Sequence, residues 1–380
     1  MYSLAGYGHM IEDRVRLEPY ASAIRRSVRP GSVVLEIGTG PGIFAVLACQ
    51  LGARRVYALE PDPIIQVARE VAAANGCADR IEFVEDLSTR VTLPEQANVI
   101  ISDLRGVLPF FQTHLPSIAD ARRRFLAPGG TLVPKKDAVW AAVVEAPEEY
   151  ARIVDPWGKN ILGQDLSPAQ QLAVNDFQKA RFKPEQLLTT SQLWATLDYA
   201  TVDSPDHRGS LNFSIQRPGT GHGIVVWFDA CLADGIGFSN APGTPETVYG
   251  SMFLPWLEPV PLAEGQDLRV DLAAALVEND YLWRWTTRIA SSYGSGPGLR
   301  FEQSQLAGAV LSLAKLRRSA SDCVPRLSDD GCMNRRALEL MDGKTSLETI
   351  ARQLVSEFPR RFQRWQQALS YVAKLSAENT

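Results

Sequence analysis

Four acidic residues recur at the ends of short β-branched or apolar runs in the first third of the chain: Glu36, Glu60, Asp86 and Asp103. Glu36 leads into Gly38-Thr39-Gly40-Pro41-Gly42. Gly38 and Gly40 allow backbone angles that a Cβ forbids and let the main chain approach a ligand closely. A helix starting beyond Gly42 offers free N–H groups at its amino terminus. Nicotinamide and flavin sites use G-x-G-x-x-G. Here the spacing is G-x-G-x-G, with an acid two residues before the first glycine, and that form suits S-adenosylmethionine, which has no pyrophosphate to place on the helix. Glu60 is placed to accept hydrogen bonds from ribose hydroxyls, and Asp86 to meet an adenine amine. Glycines alone would fit a turn in any α/β protein; acids at successive strand ends favour the nucleoside.

These residues need a parallel sheet to hold them. Residues 33–37, 55–60, 81–86, 98–103 and 131–133 read as strands, with helices over 43–51, 63–75 and 116–125 between them. That is a Rossmann-like, doubly wound α/β domain, whose ligands sit outside the carboxyl ends of the strands. A helix around residues 10–16 precedes the first strand and brings Arg16, a cation able to meet the carboxylate of the cofactor.

At Pro134 the pattern changes. Residues 139–145, 193–202, 210–216, 223–233, 248–255, 266–275 and 282–289 are strand-like, several alternating with period two between Gly and Pro turns, and predict an antiparallel β-barrel or sandwich. A polar, partly helical stretch interrupts them from Asp155 to Pro184. Residues 291–298 read as a flexible linker, 305–318 as an amphipathic helix, and the tail as three short helices of a winged-helix-like module. In it Ser346 or Thr345 caps the helix over 347–358, and Pro359 ends it. The expected boundaries are therefore 1–135, 136–290, 291–320 and 321–380.

Composition sets the limits. A chain of 380 residues with 45% hydrophobic content supports two or three domains with real cores. A net charge of -4 gives no general attraction to nucleic acid or anionic membrane. The runs Arg122-Arg123-Arg124 and Arg317-Arg318 fit solvated helix faces. No apolar run reaches the ~20 residues of a membrane span. The 5 cysteines include no C-x-x-C and fit reduced thiols in a cytoplasmic protein, and the 4 histidines have no metal-ligand spacing, so no metal is expected.

An α/β cofactor domain running directly into an antiparallel barrel resembles the protein arginine methyltransferases. The likeness spans about residues 2–290. It is carried by Met10-Ile11-x-Asp13-x-Val15-Arg16-x-x-x-Tyr20, by residues 34–43 and 52–60, by Val226-Trp227-Phe228-Asp229 and by Leu257-Glu258-Pro259-Val260-Pro261-Leu262. The resemblance implies that Arg16 holds the cofactor carboxylate and Glu60 the ribose. It further implies that Met10, Glu36, Gly38, Gly40, Gly42, Pro61, Asp86, Leu87 and Ser102 complete the cofactor site, and that residues 156–186 form a dimerisation arm.

The departures bear on the acceptor. That family binds guanidinium with two glutamates on a hairpin after the fourth strand. Ser102-Asp103-Leu104-Arg105-Gly106 keeps one acid, shortened to aspartate, and the second falls near Gln112, which is neutral. A Thr-His-Trp loop is replaced by Thr247-Val248-Tyr249. At ~4 Å and an effective dielectric of about 20, one charge pair is worth up to ~4 kcal/mol. Losing an acid and gaining Arg105 therefore argues against arginine as acceptor, unless Arg105 points outward. Asp103 becomes the candidate catalytic residue, orienting or deprotonating the acceptor, with Arg105, Gln112 and Tyr249 as substrate contacts.

Over about 322–376 the tail resembles the PqqD family, through Ala337-Leu338-x-Leu340-Met341-Asp342-Gly343-Lys344-Thr345-Ser346-Leu347-Glu348 and Phe358-Pro359. This resemblance implies recognition of a leader peptide. The expected function is a cytoplasmic, homodimeric S-adenosylmethionine-dependent methyltransferase acting on a peptide or protein. The alternatives are a small-molecule methyltransferase with a structural tail and a non-catalytic cofactor-binding scaffold.

Overall fold

The computed structural model describes residues 3–158, 162–291 and 298–379. It begins with two helices, α1 (Leu4–Glu12) and α2 (Arg14–Ser27). Asp13 caps the second, accepting from Arg16 N at 3.1 Å. The first sheet contains β1 (Val33–Ile37), β2 (Arg55–Leu59), β3 (Ile81–Val84), β4 (Ala97–Ser102) and β5 (Leu126–Val133) in the order β3-β2-β1-β4-β5. Its pairings are all parallel. α3 (Ile43–Gln50), α4 (Ile65–Ala74) and α5 (His114–Phe125) are its crossovers. All five residues of β1 are buried, as expected for the central strand of a sheet covered on both faces. Strand order reverses between β1 and β4, and the crevice at that switch point is where such sheets bind ligands.

Two antiparallel sheets follow and make a barrel-like second half. One has the order β7-β12-β10-β6-β8, with β11 added on β10. Its strands are β6 (Lys136–Val144), β7 (Gln178–Ala180), β8 (Gln192–Asp198), β10 (Gly219–Ala233), β11 (Ile236–Ser239) and β12 (Ser251–Leu262). The other, β15-β14-β13-β9, is built from β9 (His207–Ser214), β13 (Asp267–Val277), β14 (Asp280–Ile289) and β15 (Leu299–Ser304). Alternation decides the facing: Tyr281, Trp283, Trp285, Thr287 and Ile289 of β14 are all buried, with the intervening residues more exposed. One apolar core runs from Val34 and Leu35 in the first sheet to Trp283 and Trp285 in the last.

The polar interruption contains the end of α6 (Pro147–Gly158), α7 (Ser167–Ala173) and β7. Its apolar residues Val154, Val174 and Phe182 pack with Val144, Val225 and Phe253 in a separate cluster on the barrel. The expected linker lies mostly at 292–297, outside the described residues. Beyond it, residues 305–318 are not one helix. β15 first adds to the edge of β14, then come α8 (Gln305–Gly308) and, after a break, α9 (Leu313–Arg318). The break has a local cause: a Cβ on Gly308 would stand 2.9 Å from the carbonyls of Leu172 and Asn175, so the chain turns against the arm there, and Ser312 caps a new helix.

The chain divides into two compact units, one up to Ala309 and one from Val310. The second contains α9, α10 (Asp329–Glu339), α11 (Leu347–Glu357) and α12 (Trp365–Asn379). Met333, Ala337, Ile350, Leu354, Val372 and Leu375 form its core. Ser346 caps α11 as the sequence predicts, accepting from Thr349 N at 3.2 Å. No strand occurs among the described residues of this unit. All five cysteines are free thiols.

Candidate active site

A cavity of about 750 Å³ opens at the carboxyl ends of β1, β2, β3 and β4, a volume typical of a small-molecule site. Its wall carries Met10, Arg16, Glu36, Gly38, Gly40, Glu60, Pro61, Asp86 and Leu87, together with Asp103, Arg105, Gln112 and Tyr249. Two predicted residues are off the wall. Ser102 is buried, and its carbonyl accepts from Tyr20 OH at 2.9 Å. Gly42 serves packing: with φ at 84°, its Cβ would come within 2.9 Å of Ala68 Cβ on α4. Gly40, with φ at 51°, is the glycine the site needs, since it lies directly under the Tyr7 ring of α1.

Two carboxyls lie at the glycine-turn end of the cavity. Glu60 accepts from Gly40 N at 2.9 Å and from Asp62 N at 3.1 Å, which fixes it at the mouth of the glycine turn. Burial raises its pKa despite those bonds. Glu36 accepts the Thr39 hydroxyl at 2.6 Å, and burial without a cation pushes it up to about 8. Arg16 reaches in from α2. Its Nη2 donates to Met10 O at 2.7 Å, its Nη1 pairs with Asp103, and its Nε is buried without a partner among the described residues. This donor set fits S-adenosylmethionine: a guanidinium with an unpartnered Nε for a carboxylate, acids for the ribose and amine, and a glycine turn that leaves room.

The acceptor end is a closed ionic chain. Asp103, just beyond β4, pairs with Arg16 and lies 3.1 Å from Arg105 Nη1. Tyr249 OH donates to both of its oxygens, at 2.7 and 2.9 Å. Burial alone would raise this carboxyl, but Arg16 and Arg105 hold it below the ordinary carboxylate range. Arg105 is neither outward nor free. Its side chain is 0% exposed and grips Asp137 of β6 with one edge, Nε to Oδ2 at 2.7 Å and Nη2 to Oδ1 at 2.8 Å. Its Nη1 also donates to Tyr20 OH at 2.5 Å. Tyr199 OH donates to Asp137 Oδ2 at 2.5 Å, and His114 Nε2 lies 2.9 Å from Tyr199 OH. Two arginines and two aspartates thus leave the site electrically balanced. Gln112, at the place of the missing acid, is exposed with φ at 43°.

Asp103 therefore corrects its expected role in one respect. Its oxygens are already taken by Arg16, Arg105 and Tyr249, so it is poorly placed to remove a proton and well placed to orient. Asp137, Tyr199 and His114 were missed. A signal for Asp137 existed: period-two alternation puts it on the same face of β6 as Val139, Ala141 and Val143, all 0% exposed. Nothing local marks Tyr199 or His114, which meet Asp137 only through the tertiary fold.

Comparisons with known proteins agree with this architecture. Residues 21–145 match the family described as ribosomal protein L11 methyltransferase (PrmA), and residues 135–281 match the arginine methyltransferase oligomerization subdomain. A probable protein arginine N-methyltransferase 6 of Arabidopsis thaliana is 33% identical over 253 residues, covering 64% of this chain and 57% of that protein. Protein arginine N-methyltransferase 6 of Xenopus tropicalis is 29% identical over 305 residues, covering 77% and 88%. Among solved structures, Arabidopsis thaliana protein arginine methyltransferase 10 superposes with a TM-score of 0.70 at 24% identity, over 80% of this chain and 98% of that one. A Trypanosoma brucei PRMT1 enzyme-prozyme complex with AdoHcy gives 0.71 at 20% identity, over 78% and 97%. These likenesses establish the fold. Fold and site together define a methyltransferase that uses S-adenosylmethionine. Over the matched regions, the chain is arginine methyltransferase-like. Among the described residues, no helix is long and apolar enough to cross a membrane.

Proposed function

We propose that this chain methylates a peptide or protein at a group other than an arginine guanidinium, and that the carboxy-terminal unit, PqqD-like in sequence, holds that substrate by a leader segment. The observation that carries the reading is the balanced acceptor end. Asp103 already has two arginines, the position of a second acid holds neutral Gln112, and Arg105 places a guanidinium of the chain's own within the wall. A second guanidinium would enter without a free carboxylate to meet it.

S-adenosylmethionine would supply an electrophilic methyl on a sulfonium; the acceptor lone pair forms the new bond, the C–S pair returns to sulfur, and the acceptor's proton passes to solvent water. In this reading Arg16 holds the cofactor carboxylate, Glu60 the ribose and Asp86 the adenine amine, while Met10, Pro61 and Leu87 line the pocket. Asp103 acts by position: pinned by Arg16, Arg105 and Tyr249, it fixes the far wall so that the acceptor meets the methyl in line, where most of the advantage of such a displacement lies. The arm against a second copy makes the assembly a homodimer, a reading that the match to an oligomerization subdomain supports.

The test supplies the full chain with methyl-tritiated cofactor and two kinds of substrate: any short peptides encoded by neighbouring genes, as candidate precursors, and a Gly-Arg-rich peptide. Label in the precursor at a residue other than arginine is the expected result. Efficient arginine methylation of the Gly-Arg-rich peptide, independent of the tail, would overturn both halves of the proposal.

A further inference from the structure

Among the described residues, the wall around Asp103 offers no free base and one uncommitted cation. A general base has to stand within hydrogen-bond reach of the proton it takes. Asp103 has both oxygens occupied, and Tyr249 gives its own proton to them. His114 is 1% exposed, its Nε2 lies against Tyr199 OH, and burial followed by Arg105 draws its ring down to about 3. The other carboxyls of the wall, Glu36, Glu60, Asp62 and Asp86, lie on or beyond β1, β2 and β3, across the switch point from β4. Each already accepts a hydrogen bond, from Thr39 Oγ1, Gly40 N, Ile64 N and Leu87 N respectively. His9, on α1, leaves 78% of its side chain in solvent.

The cation is Lys179 of β7, on the same wall. It pairs with Met252 of β12, and its stem lies over Gly250, where a Cβ would stand 3.1 Å from Lys179 Cε. Its Nζ donates to Val248 O, one residue from the tyrosine that holds Asp103. An ammonium has three donors, so two remain. Among the described residues no carboxylate pairs with it, whereas Arg16 has Asp103 and Arg105 has Asp137. Burial, and then Arg181, pull its pKa below the ordinary lysine value, as expected of a cation without a counter-ion.

We propose that the methyl acceptor is a carboxylate of the peptide substrate, converted to a methyl ester, and that Lys179 Nζ seats it. This rests on the reading above, in which the cavity holds cofactor and acceptor together and the acceptor is not a guanidinium. A carboxylate is ionised at neutral pH and already carries the attacking lone pair. Its oxygen forms the bond to the methyl carbon, the C–S pair goes to sulfur, and no proton has to leave, so the missing base is not needed. An alcohol or amide brings no charge and would need a base to become a good nucleophile. The charges agree: two arginines and two aspartates cancel, Lys179 leaves one positive charge over, and a carboxylate neutralises it where a guanidinium would double it.

The experiment has a binding arm and a labelling arm, both on the full-length chain. In calorimetry, the chain saturated with S-adenosylhomocysteine is titrated with the acetylated, amidated pentapeptides Gly-Ala-X-Ala-Gly, X being aspartate, glutamate, asparagine or arginine. An acid peptide is expected to bind best, Lys179→Met to weaken it roughly tenfold, and Lys179→Arg to keep it. With methyl-tritiated cofactor, that peptide is expected to take up label that mild alkali releases as volatile methanol, the mark of an ester. Lys179→Arg should retain the turnover, which a lysine acting as a base would lose. Equal binding of the asparagine peptide, no effect of Lys179→Met, loss of turnover in Lys179→Arg, alkali-stable label, or no label in either acid peptide overturns the proposal. The two failures are distinguishable: no affinity for S-adenosylhomocysteine removes the cavity reading itself, while alkali-stable label on a residue other than arginine removes this inference alone.

Discussion

Charge at the acceptor end is held by partners, and each partner has become a liability if removed. Asp137 is 0% exposed, with Arg105 as its counter-ion. Arg105→Ala leaves that carboxylate buried and uncompensated, and breaking such a pair costs about 3–5 kcal/mol. Denaturant unfolding of this variant is expected to show that loss, with most of it recovered when Asp137→Asn is added. A loss under ~1 kcal/mol would mean that Asp137 is not committed to Arg105 as described. At the cofactor end, Glu60→Ala should weaken S-adenosylmethionine by ~1–3 kcal/mol in calorimetry, the cost of ribose hydroxyls left without their charged partner. Glu36 gives a pH effect of defined sign. Its folded pKa, about 8, lies above the ordinary value of 4.5. Below 4.5 both states are protonated, and its contribution is fully present. As pH rises towards 8 the unfolded chain loses this proton first, so the contribution falls. The stability of the unliganded protein minus that of Glu36→Gln should therefore decline with pH across this window, and a rising difference would refute the assignment.

The elements were legible where their signals are local. The parallel sheet could be read because its first four strands end at an acid or a glycine turn, and β1 announced itself through Glu36-Ile37-Gly38. The barrel strands followed from alternation, although β12 runs on through Pro255, Pro259 and Pro261 to Leu262, where prolines would ordinarily end a strand. β7 was hidden because three residues are too few to show a period, and β15 because its pairing with β14 crosses a glycine-rich segment. The acceptor site was half legible. Asp103, Arg105 and Tyr249 came from aligned motifs, whereas the Tyr199–His114 branch is assembled by residues 85 positions apart. The arm carries its own prediction. Its inner face is satisfied by the barrel, yet Leu162 is 92% exposed and Trp157 and Leu172 are 38% and 37% exposed on the same segment. Apolar groups left in water together on one segment point to a partner surface. Light scattering should find a dimer, and deletion of 160–182 should give a monomer; a wild-type monomer at micromolar concentration would contradict the arm's role.

At the scale of the whole molecule, the second unit has what a separate binding module needs. Met333, Ala337, Ile350, Leu354 and Val372 are each at most 1% exposed and form a core belonging to that unit alone. Its helices are independently capped by Ser328 and Ser346. A module that binds substrate at a distance acts on methyl transfer through how substrate arrives. Binding contributed by a remote site is the same in the ground state and the transition state, and removing it raises KM while leaving kcat unchanged. Ending the chain at Ala309 should therefore raise KM for a long precursor peptide, leave kcat within about twofold, and leave affinity for S-adenosylmethionine untouched. A short peptide carrying only the acceptor residue should be methylated equally by both forms. A fall in kcat on the short peptide would instead place the second unit among the elements that shape the acceptor site, since a peptide too short to reach a docking surface can register its loss only through the catalytic cavity.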